Sequence, residues 1–201
     1  MPWRKSATPF RGGRGVFLAI VAVALLVTVR PSPGASLMET RLRDEQGEPL
    51  RLSAFVGREK PCALLFVAST CPASALVWGR IKGVWYNHRD ADLRMVLVGG
   101  NSDDSPEALR AALKEDPAEL DLPILWDAGH VLATALGISS TPMAVLLAPD
   151  GTMLYRGPLD DNWRDGARAQ NPWLENAVRE ALQGRASPFR DAIAFPGSKM
   201  R

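Results

Sequence analysis

Cysteine and histidine are both scarce in this sequence, with two of each in 201 residues. Two cysteines do not make a framework of disulfide bridges. The histidines, His88 and His130, offer little from which to build a Ser/His/Asp or Cys/His hydrolase. Acidic residues are missing altogether from positions 1–36, which hold Arg4, Lys5, Arg11, Arg14 and Arg30. Once those five charges are set apart from the overall +2, the rest of the chain carries −3. The sequence pI near 8.7 therefore reflects the N-terminal segment, and nothing favours binding to phosphate backbones or a nucleic-acid partner. Internal repeats and a second domain are also absent. The chain as a whole is 46% hydrophobic and 23% charged, enough apolar content for one packed domain and too much for wholesale disorder.

The basic N-terminal stretch leads into the apolar run Val16 to Val29 and then into Pro31-Ser32-Pro33-Gly34, which is expected to break any helix. This order is that of a targeting segment, so residues 1–36 are read as a signal peptide or N-terminal membrane anchor. The protein is then exported, periplasmic or anchored facing the periplasm, with membrane contact only through this segment. Fourteen residues fall short of the roughly 20 that span a bilayer comfortably, which favours a secretory leader. Gly34 and Ser36 suit a cleavage site after Ser36, whereas Arg30 and the two prolines do not, so removal and retention both stay open.

Residues 37–184 read as one α/β domain and 185–201 as a C-terminal tail. Met38 to Leu52 predicts a β-hairpin around Asp44-Glu45-Gln46-Gly47. The continuous apolar run Ala63 to Ala68 predicts a central strand covered on both faces. Pro72 suits a first helical turn, and Val77, Ile81, Val84, Trp85 and His88 continue at helical spacing. Met95 to Val98 predicts another buried strand, followed by a helix capped by Ser105 and opened by Pro106. A short helix over Gly129 to Leu136, a hairpin of Met143–Leu147 with Thr152–Arg156, and a helix from Asn171-Pro172 to Gly184 complete the pattern. Such alternation implies a three-layer sandwich with a mixed central sheet.

Cys71 lies where the buried strand gives way to the helix, so its sulfur is expected near the unpaired N–H groups of the first turn, a setting that favours the thiolate. Cys62 is read as a packing residue. It precedes the same strand, and at roughly 3.3 Å per residue the two cysteines stand well over 20 Å apart, against the Cα separation of about 7 Å that a disulfide tolerates. His88 is about 25 Å along the helix at roughly 1.5 Å per residue and cannot serve as a base for Cys71. Asp160 and Asp161 are read as solvated carboxylates in a polar loop. The tryptophans Trp78, Trp85, Trp126, Trp163 and Trp173 are read as core or groove-wall residues.

Thr70-Cys71-Pro72-Ala73-Ser74 resembles the C-x-x-C redox loop of thioredoxin-like proteins with serine in the second cysteine's place, and Ser140-Thr141-Pro142 resembles the cis-proline loop that faces it. Together with L-R-D-E-Q-G-E-P-L-R-L-S-A-F-V-G and A-P-D-G-T-M-L-Y-R-G, these residues make the chain similar, from about Leu37 to Leu182, to the redoxin branch of the alkyl hydroperoxide reductase/thiol-specific antioxidant superfamily. Exported bacterial redoxin-domain proteins with a C-P-x-S loop and a Tyr-Arg-Gly-x-x-Asp-Asp stretch, here Tyr155 to Asp161, look most similar. Those relatives often carry Gly-Cys in the tail, where this chain has Pro196-Gly197-Ser198-Lys199, so a potential resolving thiol is missing. Peroxiredoxins keep Thr or Ser three positions before their reactive cysteine, and this chain has Ala68. A C-x-x-x-C copper site also lacks its second thiol.

The resemblance implies a thiol-disulfide oxidoreductase-like protein in which Cys71 forms mixed disulfides with a protein or low-molecular-weight thiol, to be resolved by an external thiol. Ser74 would donate a hydrogen bond to the thiolate, and the Thr141-Pro142 loop would present backbone groups to a bound peptide. No cofactor is called for. The alternatives are a non-catalytic thioredoxin-fold binding module and a weak thiol peroxidase. The redox reading requires the sulfur to emerge across from Pro142 and not lie sealed in the core.

Overall fold

The computed structural model describes residues 33–57, 59–114, 120–185 and 198–200, so the leader or anchor read over 1–36 lies outside the described residues up to position 32. Pro33, expected only to break a helix, instead opens helix α1 (Pro33–Met38), in the first turn where its missing N–H has no helical partner to lose. The hairpin follows as β1 (Arg41–Arg43) and β2 (Pro49–Arg51), with Leu42 opposite Leu50. Its turn is held by the Asp44 carboxylate, which accepts from the Gln46 and Glu48 amides at 2.9 and 2.8 Å. Gly47 adopts φ +85° there, a conformation open to glycine because it lacks a Cβ.

Next come β3 (Cys62–Phe66), α2 (Pro72–Ala75), α3 (Trp78–His88), β4 (Arg94–Gly99), α4 (Pro106–Lys114), β5 (Ile124–Trp126) and α5 (Val131–Ala135). They are followed by β6 (Ser140–Thr141), β7 (Met143–Leu147), β8 (Met153–Gly157), α6 (Trp173–Leu182) and β9 (Ser198–Lys199). Seven strands form one mixed sheet in the order β2-β1-β5-β4-β3-β7-β8. Strand β4 runs parallel to both β3 and β5, while β7 runs antiparallel to β3. All five residues of β3 are buried, and successive side chains point to opposite faces. Ala63 and Leu65 join one core with Ile81 of α3 and Leu174 of α6, whereas Cys62, Leu64 and Phe66 join a second with Leu132 of α5. A strand apolar at every position is thus the one with helices above and below it, the three-layer sandwich expected.

The helix after Cys71 is not continuous. α2 is a single turn, and it joins α3 through the i→i+3 bonds Val77 N to Ser74 O and Arg80 N to Val77 O, 3.1 and 3.0 Å. This tightened 3₁₀-like turn separates α3 from α2. The Ser105 cap is present, its hydroxyl accepting from Ala108 N at 3.1 Å. α6 ends as expected before Gly184, whose φ of +69° accompanies the bond from Arg185 N to Glu180 O of a Schellman turn.

Two strands stand where no strand was expected. β5 has only three residues behind Pro123, too few to show a period. The chain's end, read as a tail from Arg185, contributes β9, which pairs antiparallel with β6. Among the described residues no helix is long and apolar enough to cross a membrane.

Candidate functional site

Strand β3 delivers the chain to the C-terminal edge of the sheet, and the β6–β7 connection arrives at the same edge because β7 runs antiparallel beside β3 with Phe66 opposite Met143. This register brings Cys71 and Thr141, 70 positions apart, into contact: the Cys71 thiol donates to the Thr141 carbonyl with an Sγ to O distance of 3.4 Å. The Thr141–Pro142 peptide bond is cis. Ser74, fully buried, accepts from the Ala68 amide at 3.2 Å, which leaves its own proton free to point elsewhere. All four residues singled out from sequence, Cys71, Ser74, Thr141 and Pro142, are therefore at one place.

Two expectations about Cys71 need correction. The residue caps α2, yet its side chain makes no hydrogen bond to the helix's amides; a one-turn helix also carries little dipole. Nor does the sulfur open to solvent, since Cys71 is 1% exposed. It is covered rather than embedded. Ala68, Cys71 and Ala73 form a small cluster apart from the two main cores, with the half-buried Trp163 packed against it.

Burial raises the Cys71 pKa, but hydrogen bonds from the Ser198 side chain, Thr141, the Ser198 backbone and Ser74 outweigh it, and the net effect is to bring the thiol from 9.0 down to about 7. Each of these groups donates to the charged form, so each favours thiolate. Thr141 is instructive: its buried hydroxyl has no hydrogen-bond partner while the sulfur is protonated and directed at the carbonyl. Loss of the thiol proton gives that hydroxyl an acceptor, removing a buried unsatisfied group at the moment the charge forms.

The surrounding loops are held by Asp104 and Arg80, which no motif announced, and by Asp160 of the Tyr155 to Asp161 stretch. Asp104 accepts from the Ser69 amide at 2.7 Å and from the Ser69 hydroxyl, tying the residues before Cys71 to the start of α4. On the other side Asp160, expected to be solvated, is 5% exposed and paired with Arg80 of α3 at 3.2 Å. Burial holds its carboxyl above the ordinary carboxylate value, opposed by the Asn162 amide and Arg80. Arg80 also donates to the Trp163 carbonyl at 3.2 Å. One arginine thus fixes the loop that lays Trp163 over Cys71. Asp161, by contrast, caps neighbouring loop groups, accepting from Gln170 N and Asn171 Nδ2.

The remaining candidates are engaged elsewhere. Cys62 is fully buried in the second core, and burial pushes its thiol up to about 12; both cysteines are free. His88 contacts Glu175 of α6 at 2.9 Å, and the His130 ring contacts the Gly100 carbonyl at 2.9 Å. Among the described residues no three His, Cys, Asp or Glu side chains gather to hold a metal ion. Sequence reasoning missed Asp104 and Arg80, and marked Ser198 only as part of the tail stretch where relatives often carry Gly-Cys, not as a partner of Cys71. Asp104 and Arg80 carry no local signal, because each acts on the site only through tertiary contact.

The model of the AhpC/TSA family matches residues 33–156. Among solved structures, an uncharacterized conserved protein from Geobacillus kaustophilus superposes with a TM-score of 0.69 at 21% identity, over 82% of this chain and 89% of that one. A hypothetical protein from Sinorhizobium meliloti 1021 gives 0.68 at 22% identity, over 80% and 89%. MTB DsbF, in its mixed oxidized and reduced forms, gives 0.55 at 18% identity, over 73% and 97%. At these identities the likeness establishes the fold. No curated protein matches the chain.

Proposed function

The chain belongs to the AhpC/TSA family of thioredoxin-like redoxins, and from that premise we propose that it is a monothiol thiol-disulfide oxidoreductase-like protein acting outside the cytoplasm through Cys71. The thiolate attacks one sulfur of a substrate disulfide; a new bond joins Cys71 to that sulfur and the other leaves as a thiolate. An external thiolate then attacks the mixed disulfide, taking the substrate sulfur and restoring Cys71. Ser74 and Thr141 stabilise the charged sulfur, and the loop of Thr141 and Pro142 lines its other side.

The observation that carries this reading is the convergence of donors on a buried sulfur, which brings its pKa to about 7 against 9.0 for an ordinary thiol. A cysteine kept only for packing has the opposite environment, as Cys62 shows with its pKa of about 12. Export rests on the basic and apolar N-terminal pattern of residues 1–36.

The test is a thiolate titration by ultraviolet absorbance, joined to mass spectrometry after incubation with glutathione disulfide and with a disulfide-bonded peptide. The expected result is a midpoint near 7 that disappears in Cys71→Ala, with one adduct on Cys71. A chain that titrates only near 9 and takes up neither probe is a binding module instead.

A further inference from the structure

We infer that the C-terminal strand β9 is an internal stand-in for a peptide substrate: it occupies the backbone edge beside Cys71, holds the thiolate there, and yields to an extended polypeptide disulfide in preference to a small one. The inference rests on the reading of Cys71 as a former of mixed disulfides and names the substrate class for it.

The geometry is specific. Ser140 pairs with Lys199 and Thr141 with Ser198, antiparallel, and the Met200 amide donates to the Ser139 carbonyl at 3.1 Å. Met200 itself packs against the core face that contains Met143 and Ile138. Because the Cys71 sulfur lies 3.4 Å from the Thr141 carbonyl, the residue opposite Thr141 in the ladder is the one placed against the sulfur. That residue is Ser198, and hydrogen bonds from its side chain and backbone are among the causes that lower the Cys71 pKa. An incoming strand that paired with Ser140 and Thr141 in the same register would put its own side chain at this position. A cysteine there would present its sulfur to the thiolate. Serine has the right size and donor but no sulfur, so the resident strand sits in the substrate's place without reacting.

The strength of the hold determines what displaces it. Among the described residues β6 pairs only with β9, in a two-stranded sheet of two residues each. An extended polypeptide re-forms every backbone bond it breaks there, as in strand addition to a sheet edge. A small disulfide lacks the run of backbone needed and must open the ladder without replacing it. With both β9 and Trp163 in place, Cys71 is 1% exposed, so some displacement is required in either case. In the exchange the Cys71 thiolate attacks the substrate sulfur lying where Ser198 lay. The S–S bond of the substrate breaks, a Cys71–substrate bond forms, and the departing thiolate takes a proton from water.

The experiment compares the full chain, a chain ended after Gly197, and full-length Ser198→Cys, with folding of each checked by circular dichroism. Iodoacetamide labelling of Cys71, normalised to the thiolate fraction, is expected to be at least tenfold faster in the shortened chain, and its thiol titration is expected to move up from about 7 towards 9. In Ser198→Cys, glutathione disulfide is expected to close a disulfide between Cys71 and the introduced thiol, the two protein thiols being oxidised as two glutathione thiols are released. For the full chain, a peptide copying residues 196–201 with Ser198→Cys, supplied as its homodisulfide, is expected to react at least tenfold faster than glutathione disulfide. The shortened chain should narrow that ratio. Equal labelling of the full and shortened chains, with both thiols of Ser198→Cys left free, overturns the stand-in role. If Cys71 forms no mixed disulfide with either probe in any chain, the underlying reading fails; if full and shortened chains form them at equal rates, only the stand-in fails.

Discussion

The two cysteines of this protein carry the same thiol into opposite environments, and their contrast is measurable. A pKa of about 7 for Cys71, against an ordinary 9.0, means that the folded state releases a proton the unfolded chain retains. Between those pH values the unfolded state binds more protons, so stability rises with pH across the window and is lost as pH falls through 7. Two pKa units correspond to roughly 3 kcal/mol. Chemical denaturation of wild type and Cys71→Ala between pH 6 and 9 is expected to show this difference growing towards alkaline pH; parallel curves would contradict it. Cys62, present in both variants, drops out of that difference; its own raised pKa takes stability away only as pH approaches and passes 9. Cys62→Ala is expected to destabilise the fold by about 1 kcal/mol through the lost sulfur contacts and the small void, with Cys71 labelling unchanged.

At the scale of elements, the site is a meeting of loops held by distant anchors. Arg80 on α3 pairs with Asp160 and with the Trp163 carbonyl. Removing the arginine leaves a buried carboxylate without its cation, which costs about 3 kcal/mol. Arg80→Ala is therefore expected to lower stability by that order and also to speed alkylation of Cys71, because the loop bearing Trp163 loses its tether. Asp160→Asn, which keeps the shape and removes the charge, should do much less to the labelling rate; comparing the two variants checks the assignment. The strands were legible where they were long and apolar: β3 is buried at every residue, as its continuous run implies. The three-residue β5 and two-residue β6 and β9 were not, since a period cannot be read from two or three residues. The helix after Cys71 was read as one piece because a tightened turn at Leu76-Val77 leaves the apolar spacing intact.

For the whole molecule, the described residues of the unit Pro31–Arg201 build two cores on either side of one sheet. β3 belongs to both, so a cavity made there weakens both layers. Leu64→Ala, at a position with no solvent exposure, is expected to cost about 3 kcal/mol and to shift the unfolding midpoint of every spectroscopic probe together. The N-terminal segment contributes differently. Deleting residues 1–32 is expected to leave the thermal midpoint unchanged while altering where the protein resides. An alkaline phosphatase reporter fused after Arg185 should be active with the segment and inactive without it; activity in both would refute export by this route.

The sequence by itself determined the layers, the central strand and the position of Cys71 at its end, because apolar periodicity, proline and glycine act over a few neighbouring residues. Ser74, Thr141 and Pro142 were marked through the resemblance of their two loops to those of thioredoxin-like redoxins. Only the tertiary structure decided what the sulfur feels. Its coverage by Trp163, its donors from Ser198 and the buried Arg80–Asp160 pair depend on segments tens of residues apart meeting at one sheet edge. Hydrogen bonding and desolvation are set by distance in space, and no local pattern of residues encodes that distance.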